Sequence, residues 1–372
     1  MGIKIPTVQE MESKLLQNSV PEDINIPNDI QEQPDKILDA DDIRRDISVM
    51  ARTFINVYCG WPFYNEVLKR TILQFLTNMY DNAHNMTAQE FCQEMSQLIA
   101  KIPDKHMALR FAGNRFSTQL GLVRKKVGKN ITERQQKYSV ELYDGVAIIA
   151  LPTLSGWSDS DLEKFQKLYT DILPKSVATI IDLRGNSGGS SRISDPLANY
   201  LYGAKGPSSK KTWMRNTTEA NIIYNRKWDA TGISKIETSD DPFIKSQSDG
   251  YPKFESEGPG YRKPIYILIN GRTSSSAEMF CTRLKQHPFV KFIGENTAGC
   301  EVYGNAYGIV VLPKSHITFV VGMDYRELFQ DNFELNGYTP DIKCDGDAYD
   351  AAWKHLQNKL KNNKVDTNRK SR

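Results

Sequence analysis

Three apolar runs constrain the fold more than anything else in this chain: "DGVAIIALP" (144–152), "VATIIDLR" (177–184) and "KPIYILIN" (263–270). Each is nearly continuous in Val, Ile, Leu and Ala rather than alternating with polar residues. A strand of that kind is covered on both faces, as in a parallel sheet flanked by helices. The segments that follow them fit. "SDSDLEKFQKLYTDI" reads as a helix capped by serine and aspartate, and a further helix runs through "RISDPLANYLYG". "AEMFCTRLKQ" places Ala277, Phe280, Cys281 and Leu284 at i, i+3, i+4 and i+7, so that helix packs one face inward. "FVKFIGENTAG", "YGIVVLP" and "HITFVVGMDY" supply further strands. Strands alternating with helices define an α/β core.

At 372 residues the chain is long enough for two domains, or for one large domain with an appendage. Residues 1–40, polar and scattered with Pro and Asp, read as a flexible leader. Residues 41–110 read as an N-terminal helical domain, in which "TAQEFCQEMSQLIAKI" opens with Thr87 and Glu90 in capping-box spacing. Residues 111–355 form the α/β core. It carries an insertion at 203–263, which includes Trp213 and Trp228 and reads as a lid. Residues 356–372 are a basic tail that reads as a solvated, frayed terminus.

A net charge of +3 is too small to make nucleic acid the main partner. No run approaches the ~20 apolar residues that span a membrane. Five widely spaced cysteines without a C-x-x-C pair indicate neither a disulfide framework nor a zinc site. The expectation is a cytoplasmic protein without metal or cofactor, although a trimmed signal peptide is compatible with the same start.

Three segments bear chemistry. "DLRGNSGG" (182–189) ends a buried strand in a glycine-rich turn whose N–H groups can hold an anion. It is neither a dinucleotide fingerprint nor a P-loop. "TSSSAE" (273–278) sits at a strand-to-helix junction, where a serine can cap the helix or act as a nucleophile favoured by the helix N-terminus. The nucleophile elbow of the α/β hydrolases is missing. His106, in the tight turn "PDKHMAL", is one of only five histidines and could present an imidazole to a cleft.

Taken in order, "DLRGNSGG", "TSSSAE", "IGENTAG" (293–299) and "NGYTPDI" (336–342) resemble the tail-specific, or C-terminal processing, serine peptidases. That group includes the tricorn core and the repeats of interphotoreceptor retinoid-binding protein. The resemblance covers about residues 45 to 355. It implies a crotonase-like ββα core and a serine endopeptidase acting through an acyl-enzyme. It places the nucleophile at Ser275, the base at His106 and the orienting acid at Glu334. The oxyanion hole falls on the N–H of Ser276 and on Gly188 or Gly189. "GENTAGCEVYG" has no lysine where Ser-Lys members carry one, and only some 37 residues separate His106 from the strand at 144, too few for a PDZ domain. The implied partners are a peptide or protein substrate, with a homo-oligomer admitted. A catalytically inactive module binding a peptide or apolar ligand is the alternative, and an acyl-CoA enzyme of the same topology is a third reading.

Overall fold

The computed structural model describes residues 6–25, 30–118, 136–203, 211–229, 243–245, 260–285, 287–306, 308–328 and 333–370. The chain divides into two compact units, each built from three separate segments. One comprises Met1–Leu120, Lys211–Gln247 and Val302–Glu327. The other comprises Gly121–Lys210, Ser248–Glu301 and Leu328–Arg372.

The second unit holds a six-stranded sheet in the order Ile342–Lys343, Val290–Gly294, Ile265–Ile269, Ala178–Asp182, Val146–Ala150, Ser139–Tyr143. All neighbours are parallel except the last pair, where the edge strand Ser139–Tyr143 runs antiparallel to Val146–Ala150. The three apolar runs are therefore adjacent central strands, and Ile265–Ile269 is buried along its whole length. The helix Ala348–Lys370 covers one face, packing Ala348, Ala352 and Leu356 onto Val146, Ile180, Leu268 and Ile293. The helix Asp159–Ile172 starts at Ser158, whose hydroxyl and N–H bond Asp161.

In such sheets the loops after the carboxyl ends of the strands are where a site is built. Asp182, Ile269 and Gly294 end three neighbouring strands, with Leu268 level with Asp182 and Ile269 level with Gly294. The turn "RGNSGG", the serines and "ENTAG" thus leave the same edge side by side. Mixed α/β architecture, as read from the sequence, is what forms.

The first unit combines helices with antiparallel strands. The helices Ala40–Arg52, Glu66–Asp81 and Ala88–Ile99 bury apolar faces in one core, and Thr87 and Glu90 make the capping box that their spacing predicts. The helix Val8–Leu16 packs Met11 and Leu15 into that core. Residues of "YGIVVLP" and "HITFVVGMDY" pair here, in a sheet ordered Gly308–Val311, Thr318–Val321, Ala108–Phe111, Asn114–Ser117. Much of 203–263 lies outside the described residues. Its described parts are the strand Lys211–Arg215, the helix Thr218–Asp229 and the strand Phe243–Lys245, and the first of these strands pairs with Asp324–Glu327. Among the described residues no helix is long and apolar enough to cross a membrane.

Candidate active site

Ser275 is the residue before the helix Ser276–Leu284, and its backbone adopts φ 56° and ψ −125°. That conformation is rare for a residue with a side chain and costs on the order of 1–3 kcal/mol unless the surroundings enforce it. The enforcement is visible on both sides. Upstream, the N–H of Ser274 donates to the carbonyl of Asn186 at 2.9 Å. The hydroxyl of Thr273 donates to the carbonyl of Leu183 at 2.9 Å and accepts the N–H of Asn270 at 3.1 Å. Downstream, the N–H groups of Glu278 and Met279 both donate to the Ser275 carbonyl.

The Ser275 N–H points at Glu278, whose Oε2 accepts it at 3.0 Å. Glu278 is fully buried, and its carboxylate also accepts the Thr297 hydroxyl at 2.5 Å and the N–H groups of Gly299 and Cys300, both at 2.7 Å. Burial pushes its pKa up, and the four donors oppose that shift. One carboxylate therefore ties the serine to the loop that follows Gly294. The carbonyls of Phe333 and Glu334 abut Gly299 closely enough to collide with any side chain there. This brings the short helix Phe333–Asn336, with Glu334 itself buried, against the same loop.

The glycine turn is fixed by Asn186, also fully buried. Its side-chain N–H donates to the carbonyl of Leu151 at 2.6 Å, and its Oδ1 accepts the N–H of Gly188 at 2.8 Å. Gly188, at φ +91°, presses on the serines. A Cβ there would stand 2.8 Å from the Ser274 carbonyl oxygen, 2.8 Å from the Ser275 Cβ and 2.9 Å from the Ser276 nitrogen. Gly189, at φ +140°, is equally confined, by the carbonyl of Leu154. The two glycines differ in their amides. That of Gly188 is engaged by Asn186. Leu154 pairs around Gly189 through the Gly188 carbonyl and the Ser190 N–H. The N–H groups of Gly189 and Ser276 have no hydrogen-bond partner among the described residues. The Ser276 hydroxyl donates to the Gly189 carbonyl at 2.7 Å, so that these two amides are held next to each other.

His106 belongs to the other compact unit. It lies just before the strand Ala108–Phe111, in a turn that Asp104 closes. One oxygen of the buried Asp104 carboxylate accepts the N–H of His106 at 2.7 Å and that of Met107 at 3.1 Å. The Tyr58 hydroxyl bonds the Tyr64 hydroxyl at 2.8 Å. Burial raises the Asp104 pKa to about 7. The half-buried imidazole bonds the backbone carbonyl of Tyr303. Its pKa is lowered to about 4, chiefly by burial, with Arg326 and Arg115 adding to the shift. A neutral ring that donates one N–H to a carbonyl keeps its other nitrogen as an acceptor.

Of the residues singled out from the sequence, Ser275, Ser276, Gly188 and Gly189 meet in one place, and Glu334 stands behind the loop that Glu278 anchors. Asn186 and Glu278 were not assigned roles from the sequence, yet they hold the constellation together. Both had local signals: Asn186 lies in an Asn-Ser-Gly turn, and Glu278 stands three residues after Ser275, the spacing of a capping box.

The sequence profile of peptidase family S41 matches residues 145–344, more than half of the chain. The chain belongs to that family, the tail-specific group expected from its four motifs, and it is a serine peptidase. In three dimensions it is similar to a candidate peptidase from Parabacteroides merdae ATCC 43184, with a TM-score of 0.54 and 13% identity over 81% of this chain and 89% of that one. It is also similar to the photosystem II D1 C-terminal processing protease (TM-score 0.35, 16% identity, 54% of this chain and 42% of that one). A third likeness is to the tricorn protease (TM-score 0.33, 17% identity, 58% of this chain and 18% of that one). No protein of curated function matches the sequence.

Proposed function

We propose that the chain is an endopeptidase in which Ser275 attacks the scissile carbonyl and forms an acyl-enzyme, on a core of the crotonase-like ββα kind. The observation that carries this reading is the backbone of Ser275, held at φ 56° at the end of a central strand with Gly188 packed against it. Strain of this kind persists where a side chain must be presented, and plain helix capping does not require it.

In the first step the Ser275 Oγ–carbon bond forms and the carbonyl electron pair moves onto oxygen. The N–H groups of Gly189 and Ser276 receive that oxyanion. Gly188 serves by close approach rather than as a donor, because its amide is spent on Asn186. Loss of one such donor costs ~10²–10³ in rate. His106 takes the hydroxyl proton and returns it to the leaving amine. Its neutrality down to about pH 4 suits a base. Glu334 orients and polarises the set. Water then cleaves the acyl-enzyme by the same route.

The test is labelling with a fluorophosphonate followed by peptide mapping. The adduct should sit on Ser275 and be lost in His106→Ala. A protein that folds but takes no label at Ser275 is a binding module of the same fold.

A further inference from the structure

The six-stranded unit contains a second cavity wall next to the candidate oxyanion hole. A pocket of about 300 Å³ is lined by Leu154, Trp157, Leu162, Gly189, Ser190 and Ile193, among others. That volume is at the lower end for ligand sites and suits a side chain rather than a whole cofactor. Two features fix its relation to the site. Gly189 belongs both to the pocket and to the pair of amides described above. Ala277, two residues after Ser275, packs with Leu154, Ile193 and Trp157 in one apolar cluster.

Most of the surface that the lining presents is apolar, although Ser155, Ser158, Ser190 and Arg192 also border it. Leu154 and Ile193 are buried. The Trp157 indole N–H is turned away to the carbonyl of Thr153, and its ring is wedged by Tyr138 at 4.9 Å and Phe165 at 5.3 Å. Two of the three pocket serines are engaged: Ser155 donates its hydroxyl to the Gly188 carbonyl and Ser158 donates to Asp161, while Ser190 lies at the exposed rim. Arg192 is held at the exposed rim by Asp159. No charged group of the lining is left to balance a buried ion, so a charged occupant would be strongly disfavoured.

We infer that this pocket is the specificity site of the peptidase and takes a large aliphatic or aromatic side chain on the residue flanking the scissile carbonyl. The inference rests on the catalytic reading above, because that reading places the carbonyl at Gly189. A peptide with its carbonyl oxygen on the Gly189 and Ser276 amides runs past the mouth of the pocket, and its neighbouring side chain enters. The substrate class is therefore unfolded polypeptide rich in Leu, Phe or Met.

Two measurements test this separately from catalysis. In the first, a randomised peptide mixture is digested and the cut sites are mapped by mass spectrometry. Leu, Phe and Met should be enriched about tenfold or more over Asp and Lys at one position flanking the cut. Ser190→Phe, which fills the pocket from its exposed rim, should abolish the enrichment while fluorophosphonate labelling of Ser275 persists. A wild-type profile without apolar enrichment, or one unchanged by Ser190→Phe, overturns the inference and leaves the peptidase reading intact. In the second, acetyl-Ala-Ala-Leu-Ala-Ala-amide and its Asp counterpart are titrated calorimetrically into Ser275→Ala protein. The Leu peptide should bind about tenfold tighter or more, and Ser190→Phe should erase the difference. This holds whether or not Ser275 proves to be a nucleophile, and equal affinities overturn the pocket assignment.

Discussion

Gly188 and Ser275 are in such close contact that a single added carbon on Gly188 would lie 2.8 Å from the Cβ of Ser275. The glycine turn and the serine are therefore one object, although 87 positions separate them along the chain. Gly188→Ala has no harmless way to fit, since the left-handed φ adds strain to overlap with backbone on two sides. Turnover should fall at least about 10³-fold, and the protein should lose about 1–3 kcal/mol of stability. Unchanged kinetics with an unchanged melting temperature would show that the turn is free to move away.

Ser275 lends itself to a paired substitution. Ser275→Ala should remove about 10⁶ of turnover, as loss of a nucleophile does. It keeps a Cβ at φ 56°, so the strain remains. Ser275→Gly should be equally inactive yet more stable than the alanine variant by up to about 1 kcal/mol, because glycine occupies that region freely. Thermal denaturation of the two proteins decides it. A glycine variant no more stable than the alanine one means the conformation stores nothing.

Glu278→Gln keeps the shape but turns one acceptor into a donor that faces N–H and O–H groups. The buried mismatch should cost about 2–3 kcal/mol. The loop from Thr297 to Cys300 should loosen with it, which faster amide exchange at Gly299 and Cys300 would reveal. Fluorophosphonate labelling should slow in parallel. Retained protection at both amides would mean that the loop is held by other contacts.

For His106, the pH dependence carries the sign of the shift. The imidazole protonates at about pH 4 in the folded protein, against about 6.5 in an unfolded chain. The unfolded state thus binds the proton first as pH falls. The contribution to stability is complete above about 6.5 and is lost on the way down to about 4. Hydrolysis should stay level from neutrality to about pH 5 and fall with a midpoint near 4. His106→Gln should flatten the loss of melting temperature between pH 6.5 and 4. An acid limb centred near 6.5 would mean that the ring is solvated and that burial, Arg115 and Arg326 do not act on it.

Asp104 acts on His106 at one remove, by closing the turn with two N–H bonds. In Asp104→Asn the side-chain oxygen can still accept both, whereas Asp104→Ala removes the acceptor. The alanine variant should lose kcat by about 10- to 100-fold with KM little changed, and the asparagine variant should recover most of it. Equal losses in both would place the role in the charge rather than in the turn.

Legibility followed the range over which the determining forces act. The central strands, the capped helices and the serine-bearing junction announce themselves locally, through continuous apolar runs, serine-x-x-acid spacing and helical periodicity. Ser275 could be picked from three serines only by resemblance, because its unusual φ is imposed by Asn186 and Gly188 from outside the segment together with Glu278 within it. Asn186 and Glu278 look like ordinary loop and cap residues until the strand ends are set side by side. The division between Gly188 and Gly189 was not visible either, since it depends on which amide a neighbouring side-chain oxygen reaches. The strands Gly308–Val311 and Thr318–Val321 were readable as strands but not by partner. They pair with each other, and Thr318–Val321 also pairs with Ala108–Phe111 across some two hundred residues; antiparallel pairing at that range leaves no mark in local sequence.

The division of each compact unit among three stretches of chain has a consequence for synthesis. The unit that carries His106 is opened by Met1–Leu120 but closed by Val302–Glu327, which contributes the strand lying against Ala108–Phe111. At about 5–20 residues per second, roughly 10–40 s separate the emergence of those pieces from a ribosome. Throughout that interval the nascent segment holds an apolar surface, including Leu109, whose strand partner Phe319 does not yet exist. Neither unit can be completed before its closing segment, Val302–Glu327 for one and Leu328–Arg372 for the other, has been made. His106 and Ser275 therefore both wait for stretches of chain that are synthesised well after them.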